Sequence, residues 1–187
     1  NKNQLIKKIN QNIKQSDVVI VADYGHGFIS NDIAKTVTNK SKFLAANAQI
    51  NSSNMGYHTL KKYKNIDCLI VNETELRHEM RDKESDLKQL MIKLSNKNKI
   101  KKLIITQGSI GVTLYDLYNK KFSHCPAFAS NVVDIVGAGD AMLSIISLCV
   151  KEKIDNNIAL YLGSLAASQS VESLGHSVFV NKNDLFK

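Results

Sequence analysis

Four short runs of nearly continuous apolar residues punctuate the first 106 positions: DVVIVA (17–22), KFLAANA (42–48), DCLIVN (67–72) and KKLIIT (101–106). Runs of this kind lack the alternation of a half-exposed strand and predict strands covered on both faces, as in a parallel sheet. The segments around them carry helical spacing. QLIKKINQNIKQS precedes the first run, SNDIAKTVTNKS follows it with Ser30 as N-cap, and ESDLKQLMIKLSNKN leads to the fourth with Ser85 as cap. Strand and helix in alternation predict an α/β fold with right-handed crossovers and a ligand site at the carboxyl ends of the strands.

The pattern changes after the fourth run. TQGSIGVTLYDLYNKKFSHCPAF holds two alternating stretches around YNKK, which predict an antiparallel hairpin at the sheet edge. GDAMLSIISLCVKEK and NIALYLGSLAASQSVESLG are apolar around much of their circumference and predict two helices packed on the sheet, the second stopped by Gly175. The expected architecture is a mostly parallel central sheet with helices on both faces and a C-terminal edge hairpin.

Composition narrows this picture. The chain has 187 residues, 43% hydrophobic and 22% charged, with one proline and nine glycines, and no linker-like tract divides it. Residues 1–187 therefore read as a single domain. The longest apolar runs, VVIVA and LIIT, fall far short of the roughly 20 residues of a membrane span, so no membrane partner is expected. Cys68, Cys125 and Cys149 stand singly in apolar contexts. They read as buried thiols of a reducing, cytoplasmic chain. The formal charge of +8 is scattered through KNKIKK, LKKYK and NKK with few stacking aromatics. That reads as a solvated basic surface and not a nucleic-acid interface, although its field would attract an anionic nucleotide or sugar phosphate.

Candidate chemistry gathers just after the apolar runs: Asp23 after the first, Asn72 and Glu75 after the third, Thr106 and Gly108 after the fourth. A parallel sheet would bring all of these to one rim. In DIVGAGDAM the glycines let backbone N–H groups at a helix start face open space and form an anion site. Met142 stands where a dinucleotide fingerprint needs glycine, and no G-x-x-x-x-G-K-[ST] loop occurs. Each element also has a plainer reading. Glycine with aspartate before a helix is ordinary punctuation, Asn72 with Glu75 is a capping pair, Thr106 to Gly108 is a strand-to-turn transition, and Asp23 with Tyr24 and Gly25 is a simple turn. The histidines show no zinc-like spacing, and only His26, between two glycines, attracts functional interest.

Taken together and in order, these segments resemble a PfkB-family, ribokinase-like carbohydrate kinase, over roughly residues 17–177. DIVGAGDA is similar to the family signature D-T-x-G-A-G-D, NETE (72–75) to N-x-x-E, TQGSIG (106–111) to T-x-G-x-x-G, and SLAASQSVESLG to the small-residue helix beside the adenine. ADYGHGFIS resembles the D-Y-x-K-G segment of the heptose-phosphate kinase branch, with His26 in place of the lysine and Ile135 in place of the usual threonine. The resemblance implies ATP-dependent phosphoryl transfer to a hydroxyl of a sugar or sugar phosphate. Asp140 would be the general base, and Gly137, Ala138 and Gly139 would form the anion hole. It further implies Thr106, Gly108, Gly111, Asn72, Glu75 and Ser164 at the nucleotide, and Asp23 with Asp140 at the substrate. Asn72 and Glu75 would hold Mg²⁺ largely through water, and Asp134 would contribute to a K⁺-type monovalent-cation site. A homodimer and a fused nucleotidyltransferase domain are the partners that the likeness suggests. An amino-terminal portion and a β lid are expected to lie outside these residues, so that this piece alone binds nucleotide but phosphorylates sugar poorly. The alternative is a non-catalytic nucleotide-binding or assembly module descended from such a kinase.

Overall fold

The computed structural model describes residues 2–50, 60–129 and 136–171. Its elements in chain order are α1 (Lys2–Gln15), β1 (Val19–Asp23), α2 (Asn31–Lys40), β2 (Leu44–Ala48), β3 (Cys68–Asn72), α3 (Glu73–Met80), α4 (Leu87–Asn98), β4 (Lys102–Thr106), β5 (Val112–Asp116), β6 (Lys121–Cys125), α5 (Ala138–Lys151) and α6 (Asn156–Val171). The six strands form one sheet in sequence order, β1 to β6. Strands β1 to β4 run parallel, while β4–β5 and β5–β6 are antiparallel. Each expected strand is present, trimmed by one or two residues at its amino end, and the hairpin turns at Leu117–Lys120 as the YNKK segment predicts.

The apolar runs are continuous because the sheet is covered on both sides. Val21, Ala46, Leu69, Val71, Leu103 and Ile105 point into one core with Ile13 of α1, Val37 of α2, Leu76 of α3 and Leu90 and Leu94 of α4. The intervening positions Ala45, Cys68, Ile70, Ile104, Val112 and Leu114 form a second core with Met142, Leu143 and Ile146 of α5 and Leu160 of α6. The two-residue strand period thus divides each run between two helical layers. Strand β1 is covered less completely: Ile20 is 41% exposed.

Two helix starts show how local chemistry sets the boundaries. Ser30 caps α2, its Oγ accepting from the Ile33 amide at 3.4 Å. The expected cap Ser85 does not cap α4. Asp86 does, its side chain accepting from the Gln89 amide at 3.1 Å. Ser85 is instead drawn into the preceding turn, where its Oγ donates to Asp82 at 2.7 Å and its amide at 2.9 Å. An aspartate three residues upstream outcompetes the helix for that hydroxyl. The proposed stop of α6 at Gly175 lies outside the described residues.

Candidate active site

The parallel register levels the strand ends. Asp23 pairs with Ala48 and Asn72 with Thr106, so these residues share one rim, and β5 starts beside them with Val112 opposite Thr106. Helix α5, which touches β1, β2 and β3, begins at the same rim. Gly137 is its N-cap with φ 90° and ψ −14°, a left-handed conformation that a side-chain-bearing residue adopts at a cost, and among the described residues no side chain caps the helix. Its carbonyl closes the first turn by accepting from the Ala141 amide at 2.9 Å. The amides of Ala138, Gly139 and Asp140 then project from the positive end of the helix dipole. Among the described residues nothing lies within 4 Å of where a Cβ on Gly139 would stand, which leaves room for a ligand on this side.

Asp140 sits in the first turn of α5 and is held from two sides. Tyr24 Oη donates to its Oδ2 at 2.7 Å, and Asn47 Nδ2 donates to its Oδ1 at 3.1 Å. The bond to Asp140, with burial, raises the Tyr24 phenol above its ordinary value, which keeps it a proton donor. Asn47 Oδ1 accepts from the Asp23 amide at 3.2 Å, completing a bridge from β1 through β2 to α5. Asn47 escaped the sequence reading. The available signal was a lone carboxamide near the carboxyl end of an otherwise apolar run, KFLAANA.

Asp23 is enclosed at the rim. It is 2% exposed, and its carboxylate accepts from Tyr63 Oη at 2.5 Å and the Gly25 amide at 3.0 Å and pairs with Lys62 Nζ at 2.6 Å. Burial pushes this carboxyl up, but Lys62, Tyr63 and Gly25 outweigh it and hold it below its ordinary value. These bonds tie the loop after β1 to residues 60–63. Lys62 of LKKYK is accordingly no solvated surface lysine, since its side chain is only 14% exposed. His26 lies exposed between Gly25 and Gly27, both of positive φ.

At the β3 and β4 ends, Asn72 and Glu75 form a reciprocal capping box. Asn72 Oδ1 accepts from the Glu75 amide at 2.7 Å and Glu75 Oε2 accepts from the Asn72 amide at 2.8 Å. The other Glu75 oxygen accepts from the Ile50 amide at 3.1 Å, linking α3 to the end of β2. Burial raises the Glu75 carboxyl above its ordinary value despite these two amides. Glu73 Oε2 accepts from Gln107 Nε2 at 2.9 Å, which joins α3 to the turn carrying Gly108. Gly108 has φ +57° with open space at its Cβ position, whereas a Cβ on Gly111 would stand 2.2 Å from the Cys125 carbonyl oxygen. Gly111 is thus a glycine because the hairpin packs against it.

Ser164 is 5% exposed and its Oγ is buried without a hydrogen-bond partner, so as placed it offers no surface to a nucleotide. Asp134 lies outside the described residues. Among the described residues no group of three or more His, Cys, Asp or Glu side chains could hold a metal. The donors at the rim, one exposed carboxamide and one buried carboxylate that already accepts two amides, fit a magnesium ion only as one held through water and substrate phosphates.

A mostly parallel sheet with an antiparallel hairpin, helices on both faces and an uncapped helix start at the strand ends defines a ribokinase-like α/β protein. The ribokinase of Arabidopsis thaliana complexed with ribose and ATP shares the fold with a TM-score of 0.76 at 19% identity, covering 96% of this chain and 57% of that one. Phosphofructokinase-2 from Escherichia coli in complex with potassium gives 0.75 at 13%, covering 97% and 60%. The chain belongs to the pfkB family of carbohydrate kinases, whose family model matches residues 1–183. Bifunctional protein HldE of Campylobacter curvus is 30% identical over 175 residues, 92% of this chain and 36% of that protein. HldE of Desulfatibacillum aliphaticivorans is 29% identical over 177 residues, covering 92% and 35%. The chain spans little more than a third of the length of these relatives. Among the described residues no helix is long and apolar enough to cross a membrane.

Proposed function

We propose that this chain supplies the phosphoryl-transfer end of an ATP-dependent kinase whose acceptor is a hydroxyl of a sugar or sugar phosphate, of the heptose-phosphate kind. The observation that carries this reading is Asp140 in the first turn of an uncapped α5, beside amides suited to a phosphoryl group and bonded to Tyr24 and Asn47. Asp140 accepts the proton of the acceptor hydroxyl as the hydroxyl oxygen attacks the terminal phosphorus of ATP, and ADP leaves as its bond to that phosphorus breaks. The Ala138, Gly139 and Asp140 amides take up the charge on the transferred group. Thr106 and Gly108 line the nucleotide. Asn72 and Glu75 would hold Mg²⁺ through water, and the ion would supply charge neutralisation at the phosphates. Asp134, six residues before the base, is the residue assigned to a monovalent cation. The word bifunctional in the relatives' name supports a fused second domain in the parent protein, with nucleotidyltransferase as the proposed activity.

The test is Asp140→Asn in the full-length protein. The isosteric amide keeps the first turn but cannot accept the proton, so kcat should fall about 10²- to 10⁴-fold while calorimetric Mg-ATP affinity changes by less than about threefold. Turnover within a few-fold of the parent would sink the base assignment. Absence of any Mg-ATP affinity in the unmutated chain would favour a non-catalytic assembly module.

A further inference from the structure

The carboxamide of Asn47 has only one orientation that satisfies both of its neighbours. The Asp23 backbone N–H can only donate, so Asn47 Oδ1 must face it at 3.2 Å and Nδ2 must face Asp140 Oδ1 at 3.1 Å. Asn47 is 5% exposed and sits on β2, paired with Ala22 of β1 and Ile70 of β3. The donor to Asp140 is therefore mounted on the interior of the sheet. The second oxygen of Asp140, Oδ2, meets Tyr24, whose side chain belongs to an exposed residue at the rim.

Resting on the base role proposed for Asp140, we infer that Asn47 is a positioning residue. It ties one carboxylate oxygen into the sheet and thereby fixes which oxygen, Oδ2, is presented to the acceptor hydroxyl. A carboxylate on a single rotatable arm otherwise samples a broad terminal torsion, and only part of that range aims a lone pair at the acceptor. The two hydrogen bonds of Asn47 hold that torsion and also lock the end of β1 to the start of α5. Tyr24 Oη donates to Oδ2 at 2.7 Å, and an acceptor hydroxyl that donates to this oxygen would take a place beside it or in its stead.

A double-mutant cycle in the full-length protein separates positioning from mere packing. Asn47→Ala extends an alanine-rich strand and should lower kcat about 10- to 100-fold, with both KM values and Mg-ATP affinity within about threefold of the parent. In the Asp140→Asn background the same substitution should cost less than about twofold, because the group through which Asn47 acts is already disabled. A loss of full size in that background, or an unchanged kcat for Asn47→Ala alone, would overturn the inference. If Asn47→Ala melts below the assay temperature, Asn47→Asp carries the same cycle. It keeps the acceptor for the Asp23 amide, removes the donor toward Asp140 and sets a second carboxylate beside it, so parent-like kcat in that variant would be equally decisive against positioning. Full turnover in Asp140→Asn by itself would overturn the base reading, and this inference with it.

Discussion

Asp23, Lys62 and Tyr63 show how one residue type can be diverted from chemistry to scaffolding. An aspartate at the carboxyl end of a parallel strand stands where ligands bind, yet here it meets an ammonium and a phenol arriving from residues 62 and 63. The segment that carries them is itself pinned at Leu60 and Tyr63. Asn98 Nδ2 donates to the Leu60 and Tyr63 carbonyls at 3.1 Å each, and Glu79 Oε2 accepts from the Leu60 amide at 2.8 Å. Asp23→Asn would leave Lys62 with no charged partner at Asp23 in a nearly enclosed setting, so urea unfolding should show a loss of about 3 kcal/mol. Adding Lys62→Met, which removes the stranded charge, should recover part of that loss. A double variant no more stable than Asp23→Asn would show that the charge pair is not what matters.

At the scale of elements, glycine positions separate two roles that the sequence presents alike. Gly108 and Gly111 both belong to TQGSIG, but only the first faces open space. A methyl group at Gly111 would overlap the backbone of Cys125 and Pro126, and φ of +112° is itself unfavourable for other residues. Gly111→Ala should therefore destabilise the β5–β6 hairpin by more than the roughly 1–3 kcal/mol of backbone strain alone. A calorimetric melt unchanged by this substitution would show that the hairpin can yield. Gly163 serves packing in a similar way: a Cβ there would stand 2.5 Å from Ile146 of α5. The strands were legible because runs buried on both faces leave an unmistakable apolar signature, and Ser30 was legible because its cap bond reaches only three residues ahead, to the Ile33 amide. Ser85 and Asn47 were not, since the first depends on a neighbouring turn and the second on two partners from other elements.

For the whole molecule, Asp116 joins the parallel and antiparallel parts. Lys102 of β4 lies 2.5 Å from the Asp116 carboxylate on β5 and donates to Asn156 at the start of α6 at 2.8 Å. Burial pushes the Asp116 carboxyl up, but Lys102 and Asn119 prevail and bring it down to about 2, from an ordinary value of 3.8. A depressed carboxyl contributes stability that is complete above the unfolded value and is lost as pH falls through the folded one. Its contribution, on the order of 2 kcal/mol, should thus disappear between about pH 4 and pH 2. Asp23, also depressed, acts in the same direction. Asp116→Asn should flatten this acid limb in denaturation midpoints measured against pH, and an unaltered limb would assign the loss to other groups.

By itself the sequence determined the α/β alternation, the edge hairpin, the helical layers and the order of segments at the rim, because each is encoded within a window of about twenty residues or fewer by periodicity, capping and turn chemistry. Tertiary structure alone decided which polar groups face outward. Asp23 turned into a buried ion pair, Ser164 became enclosed, Lys62 left the solvated surface, and Asn47 came to hold Asp140 across 93 positions. The physical reason is that a buried polar side chain must find its partner wherever the fold places one, and no local pattern records a hydrogen bond between residues so distant in sequence.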